Sequence, residues 1–137
     1  MAQPVILIYD ERDTLDAPIT STAVVTAGDL VDVTASGYIY KMDAAGDDAT
    51  FVGLAVDSSA TAETTNVTFA FKCIAEIDAL SGSYRVGAGL KYSAANSLVD
   101  DDGANTIAWV AGNTTAATRI KILVDVPALQ KKFEVNA

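Results

Sequence analysis

The side chains that could carry chemistry in this chain are few. There is no histidine, so the commonest general base and the commonest metal ligand are both missing. No Ser-His-Asp or Cys-His arrangement can be assembled without one. The single cysteine, Cys73, falls on the apolar phase of an alternating stretch, where a buried and inert thiol is expected. Carboxylates are the remaining catalytic material. Asp100-Asp101-Asp102-Gly103 offers oxygen ligands but lacks the alternate spacing and late glutamate of a calcium-binding EF-hand loop, so it reads as a solvated hairpin tip. Asp47-Asp48, after Gly46, reads the same way. An acid-dependent hydrolase would need two carboxylates across a cleft, with Asp47, Glu76, Asp100 and Asp102 as its candidates. Gly87-Ala88-Gly89 is followed by no Gly-Lys-Ser/Thr and is not a phosphate loop. Tyr38, Tyr40 and Trp109 could act as sugar-binding platforms, although core or interface packing is the commoner use of such residues. No enzymatic activity, metal or cofactor is expected.

The elements that must position these residues are strands. From Val67 to Ile77 the residues Val67, Phe69, Phe71, Cys73, Ala75 and Ile77 alternate with a mainly polar set. From Thr118 to Val126, Ile120, Ile122, Val124 and Val126 alternate with Arg119, Lys121, Leu123 and Asp125. A period of two with charge on one side is the signature of half-buried antiparallel strands. Weaker strand signals lie at 19–25, 30–34, 38–42, 51–56, 90–93 and 107–111, separated by turn residues such as Ala27-Gly28-Asp29, Ser36-Gly37 and Gly112-Asn113. About eight strands at this spacing predict an all-β, mainly antiparallel fold: a small β-barrel, a tulip-like barrel or a sandwich.

The three prolines, Pro4, Pro18 and Pro127, bracket a proline-free body. Proline is excluded from central strands because it lacks the ladder N–H. The division expected from this is an amino-terminal arm over 1–18, a β domain over 19–126 and a carboxyl-terminal arm over 127–137. The amino-terminal arm carries Val5-Ile6-Leu7-Ile8-Tyr9, a continuous β-prone apolar run that is a hazard if left bare. It either joins the body's own sheet or adds as a strand to another subunit.

With 137 residues the chain is one domain, long enough to bury about 65–70% of its unfolded surface without disulfide or metal. Half the residues are apolar and the mean hydropathy is +0.28, which suggests that part of the surface is covered by a partner or by copies of itself. The net charge of −9 and scattered basic residues argue against nucleic acid and anionic membrane as partners. The opening residues have no basic region before a five-residue apolar run, so no signal peptide is expected and synthesis is placed in the cytoplasm.

Several segments in order resemble the small decoration, or cement, proteins of tailed-bacteriophage heads. They are Val25-Thr26-Ala27-Gly28-Asp29-Leu30-Val31 with Gly37-Tyr38-Ile39-Tyr40; Phe51-Val52-Gly53-Leu54-Ala55; Tyr84-Arg85-Val86-Gly87-Ala88-Gly89-Leu90-Lys91-Tyr92 with Asn96-Ser97-Leu98; and Ile107-Ala108-Trp109-Val110-Ala111-Gly112, closing with Thr118-Arg119-Ile120-Lys121-Ile122. The resemblance is a cadence of glycine turns and short strands covering most of the body. It implies a non-enzymatic, cofactor-free virion protein, usually a homotrimer, seated on the outer capsid surface at threefold and quasi-threefold positions. It also implies that the major capsid protein is the partner and that terminal arms staple neighbouring capsid subunits. The expected capsid-binding residues are Pro4, Val5, Ile6, Leu7, Ile8 and Tyr9 in the first arm and Leu129 and Phe133 in the last. The alternative reading is a carbohydrate-binding module or another phage structural domain of tail or fibre.

Overall fold

The computed structural model describes residues 3–19, 24–33, 37–42, 50–59, 66–79, 86–94, 97–100, 106–112 and 119–126. They form eleven strands: β1 (Val5–Tyr9), β2 (Thr14–Pro18), β3 (Leu30–Val33), β4 (Ile39–Lys41), β5 (Phe51–Ala55), β6 (Asn66–Ala70), β7 (Lys72–Ala79), β8 (Gly89–Ala94), β9 (Ser97–Asp100), β10 (Ala108–Gly112) and β11 (Arg119–Asp125). The fold is all-β and nearly all antiparallel, in two sheets that are not closed into a barrel. The first sheet has the order β1-β7-β11-β10-β8-β9, with a short parallel contact between β7 and β9 at Asp78–Ser97 and Ala79–Leu98. The second has the order β2-β6-β5-β3-β4.

The alternation expected from 67 to 77 is real, but the stretch is not one strand. It breaks at Phe71, where the chain leaves the second sheet and enters the first. Val67 and Phe69 pack in one core, and Cys73, Ala75 and Ile77 in another, while Phe71 touches both. Its backbone takes an N–H bond from Val126 (2.9 Å) and gives one to the Asp13 carbonyl (3.0 Å), so the corner is tied at three points of the chain. The larger core lies between the sheets: Cys73, Ala75, Ile77, Ile120, Ile122 and Val124 meet Leu30, Met42, Phe51, Leu54 and Ala70. The smaller core covers the other face of the second sheet with Ala17, Val31, Val33, Ile39, Val52 and Phe69. With both faces covered, β3 and β5 are buried at every position.

A bulge lets β5 serve both cores. Leu30 pairs with Leu54, Val31 with Gly53 and Asp32 with Phe51, so Val52 is the extra residue. The bulge puts Phe51 and Leu54 in one core and Val52 and Ala55 in the other. Gly53 is required here. Its φ is +151°, and a β-carbon would stand 2.1 Å from the Ala70 carbonyl oxygen.

The expected boundary at residue 18 does not separate an arm from a body. β1 pairs antiparallel with β7 along Val5–Glu76, Ile6–Ala75, Ile8–Ile74 and Tyr9–Cys73. β2 pairs with β6 from Thr14–Ala70 to Pro18–Asn66. A single 3-10 turn, Glu11–Asp13, carries the chain from the edge of one sheet to the edge of the other. The physical reason is hydrogen-bond economy: strand-forming backbone left unpaired gains by joining the nearest open edge. Pro18 fits because it sits at the end of an edge strand. The expected arm over 127–137, with Leu129 and Phe133, lies outside the described residues.

Candidate functional site

β1 is an edge strand with an irregular presentation. The pairing shifts between Ile6 and Ile8, leaving Leu7 as the bulged residue. Val5 and Ile8 consequently lie on the outward side with Glu76 and Ile74, and Ile6 packs against the core. Val5, Leu7, Ile8 and Tyr9 are all exposed, Ile8 to 64%. No strand pairs with the outer edge of β1 among the described residues. The run read from sequence as a hazard is therefore built into a sheet, yet four of its five side chains face solvent.

The strand is locked at its start. The Gln3 side-chain amide donates to the Ala27 carbonyl (3.0 Å) and to Asp29 Oδ1 (2.7 Å). Asp29 is buried, accepts the Thr26 N–H through Oδ2 (2.8 Å) and has Lys41 Nζ 3.9 Å from Oδ1. Gly28 donates to the Ala55 carbonyl (2.7 Å), and Ala55 donates to the Asp29 carbonyl (2.9 Å). Pro4 is buried against this turn. An open cleft of about 410 Å³ lies beside it, lined by Pro4, Ile6, Tyr9, Gly28 and Val56 among others. At the other end of β1, Asp10 accepts from the Arg12 guanidinium (3.2 and 2.9 Å) and from the Arg12 N–H (2.9 Å). The guanidinium first, and the backbone bond second, hold the Asp10 carboxyl below its ordinary range.

Next to β1 the outer face of the first sheet carries a continuous apolar row. Ile8 pairs with Ile74, Ile74 with Leu123, and Leu123 with Trp109, across β1, β7, β11 and β10. All four point away from the core: their strand neighbours Cys73, Ala75, Ile122, Val124, Ala108 and Val110 are the buried ones. Ile74 is half-buried and the other three are exposed. The row spans about 14 Å at the usual strand spacing. On one side Glu76 pairs with Lys121, and on the other Lys72 pairs with Asp125. A depression of about 230 Å³ opens at the Ile8 end of the row, lined by Ile8, Tyr9, Asp10, Asp13, Lys72, Cys73, Ile74 and Leu123. An apolar centre inside a polar rim is the anatomy of a protein contact.

Of the sequence-predicted residues, the structure brings Val5 and Ile8 to this surface, leaves Leu7 exposed at the bulge and Tyr9 exposed opposite Cys73, and turns Pro4 and Ile6 inward. Ile74, Leu123 and Trp109 complete it. Ile74 and Leu123 carried a readable signal, as apolar residues in the polar phase of two alternating strands. Ile8 and Trp109 also stood out in the sequence, but that the four share one row carried no signal, because register is not local.

The aromatic residues do not form one sugar platform. Tyr38 and Tyr40 belong to the β4 region of the second sheet, where Tyr40 packs on the smaller core, and Trp109 faces outward from the first sheet. Asp47 and Asp102 lie outside the described residues, Asp100 ends β9, and Glu76 stands on the outer face of the first sheet. Among the described residues no group of three or more Cys, Asp or Glu side chains is placed to hold a metal. Cys73 is buried and unpaired, and desolvation pushes its thiol up to about 12. No protein-family model matches the chain, and no curated protein is recognisably similar to it in sequence.

Proposed function

We propose that this chain is a non-catalytic structural protein that docks on the outer surface of an assembled tailed-phage capsid and strengthens it. The observation that carries the reading is β1, an apolar edge strand with Val5, Leu7, Ile8 and Tyr9 exposed and its outer edge unpaired among the described residues. Such an edge is suited to accept a strand of a partner, with main-chain hydrogen bonds giving affinity and the exposed side chains giving selectivity. The cadence of glycine turns and strands that resembles phage-head decoration proteins supports the capsid protein as that partner. In this reading the contact is made by a strand already anchored in the body, and no loose amino-terminal tail is needed.

The energetic logic is linkage. A protein that binds the assembled lattice and not its separated subunits stabilises the lattice by mass action. Copies grouped in threes at threefold and quasi-threefold positions bind with avidity although each contact is modest. The acidic exterior keeps the chain from associating with packaged nucleic acid.

The test is to mix the purified chain with expanded, undecorated heads. Saturable co-sedimentation and a higher temperature of head opening are the expected results. Leu7→Glu, at the exposed bulge of β1, should weaken binding while leaving the far-ultraviolet circular dichroism unchanged. Heads that sediment without bound chain would overturn the reading.

A further inference from the structure

The four charges that flank the apolar row alternate in sign. Along β7 they are Lys72 and Glu76, and along β11 they are Asp125 and Lys121, so positive stands beside negative in both directions. These four cancel, on a chain whose net charge is −9. These four charges of the outer face therefore add no net like-charge repulsion between two copies of an acidic chain.

We infer that this face joins two copies of the chain in an isologous, twofold contact. Two sheets stacked face to face lie about 10 Å apart with mean strand directions within about 30°. Turning one copy about a twofold axis that runs along the strands, midway between β7 and β11, lays β7 on the partner's β11 and β1 on the partner's β10. Lys72 then stands over the partner's Asp125, and Glu76 over the partner's Lys121. Ile74 meets the partner's Leu123, and Ile8 meets the partner's Trp109. Val5, which pairs with Glu76 in its own chain, meets the partner's Gly112, which pairs with Lys121 and has no side chain to collide with it. Each of these four charges meets its opposite, and the apolar row lies on its own symmetry mate. A face with one sign along β7 and the other along β11 would match only under this axis. The alternating pattern also matches when the axis lies along the row.

The contact closes after two chains, because an isologous interface uses the same patch on both. It is small by the standard of stable complexes, so the dimer forms reversibly. This inference concerns the chain alone in solution; it shares Val5 and Ile8 with the capsid contact, so docking on a capsid would compete with it.

Sedimentation equilibrium of the full chain should show a concentration-dependent species at twice the 14.2 kDa monomer mass. Leu123→Glu should leave the circular dichroism and thermal midpoint near those of the wild type and return the chain to a monomer. The double variant Glu76→Lys/Lys121→Glu keeps the opposite pair within each chain and the match between identical copies. Against a wild-type copy it sets like charges together. It should dimerise as the wild type does, and it should pair with the wild type at least about tenfold more weakly. If Leu123→Glu unfolds the chain, the mixing experiment decides alone. A wild type that stays monomeric at its highest soluble concentration overturns the inference. So does a trimer in solution, and so does free mixing of the double variant with the wild type.

Discussion

Gly28 and Pro4 are in such close contact that a β-carbon on Gly28 would stand 2.1 Å from the Pro4 carbonyl oxygen. The turn that carries Gly28 has φ +97° there, and its neighbours Ala27 and Asp29 both accept from Gln3. The start of the chain is therefore seated on the body by shape and by hydrogen bonds at once.

Gly28→Ala tests this seat. The positive φ alone costs an alanine about 1–2 kcal/mol. Displacing Pro4 and the Gln3 bonds adds to it, so a total loss of about 3 kcal/mol is expected. Urea denaturation measures it, and a midpoint equal to the wild type's would show that residues 3–4 do not rest on this turn.

Deleting residues 1–17 removes β1 and nearly all of β2. Ile6 leaves the larger core, Ala17 leaves the smaller, and Val67 and Phe69 lose the strand that covers their edge. The truncated chain is expected to lose cooperative thermal unfolding and to bind a hydrophobic dye. A truncated chain that keeps a sharp transition would restore the idea of a separable arm.

Gly53→Ala strikes the bulge that lets β5 feed two cores. Its β-carbon would overlap the Ala70 carbonyl on the neighbouring strand. The backbones of β5 and β6 must move apart, and the expected cost is about 3 kcal/mol or more, read as a lower denaturation midpoint.

Cys73 predicts an alkaline weakness. Its thiol is held up to about 12 in the fold by burial, whereas an unfolded cysteine ionises near about 8.5. The folded pKa is the higher one, so the unfolded state sheds its proton first as pH rises. Stability is then fully present below the unfolded value and falls by about 1.4 kcal/mol per pH unit above it, until the folded value is reached. Between pH 8 and 10 the wild type should lose about 2 kcal/mol more than Cys73→Ala, measured by urea midpoints at each pH. A thiol reagent should label Cys73 only on unfolding.

The sequence by itself determined the class of the fold. The alternation of Ile120, Ile122 and Val124 with Lys121, Leu123 and Asp125 dictates a strand with one wet face, because successive side chains of extended backbone point to opposite sides. The burial of Cys73 followed from the same period, and the absence of histidine removed whole classes of mechanism. Tertiary structure decided the rest. Nothing local tells Val67–Ile77 to turn from one sheet into the other at Phe71, since both halves keep the same alternation. Nothing local tells Leu7 or Val52 to bulge, which requires a partner strand one residue out of step. The row Ile8–Ile74–Leu123–Trp109 joins residues far apart along the chain, and it exists only because four strands are held in one register by hydrogen bonds between them.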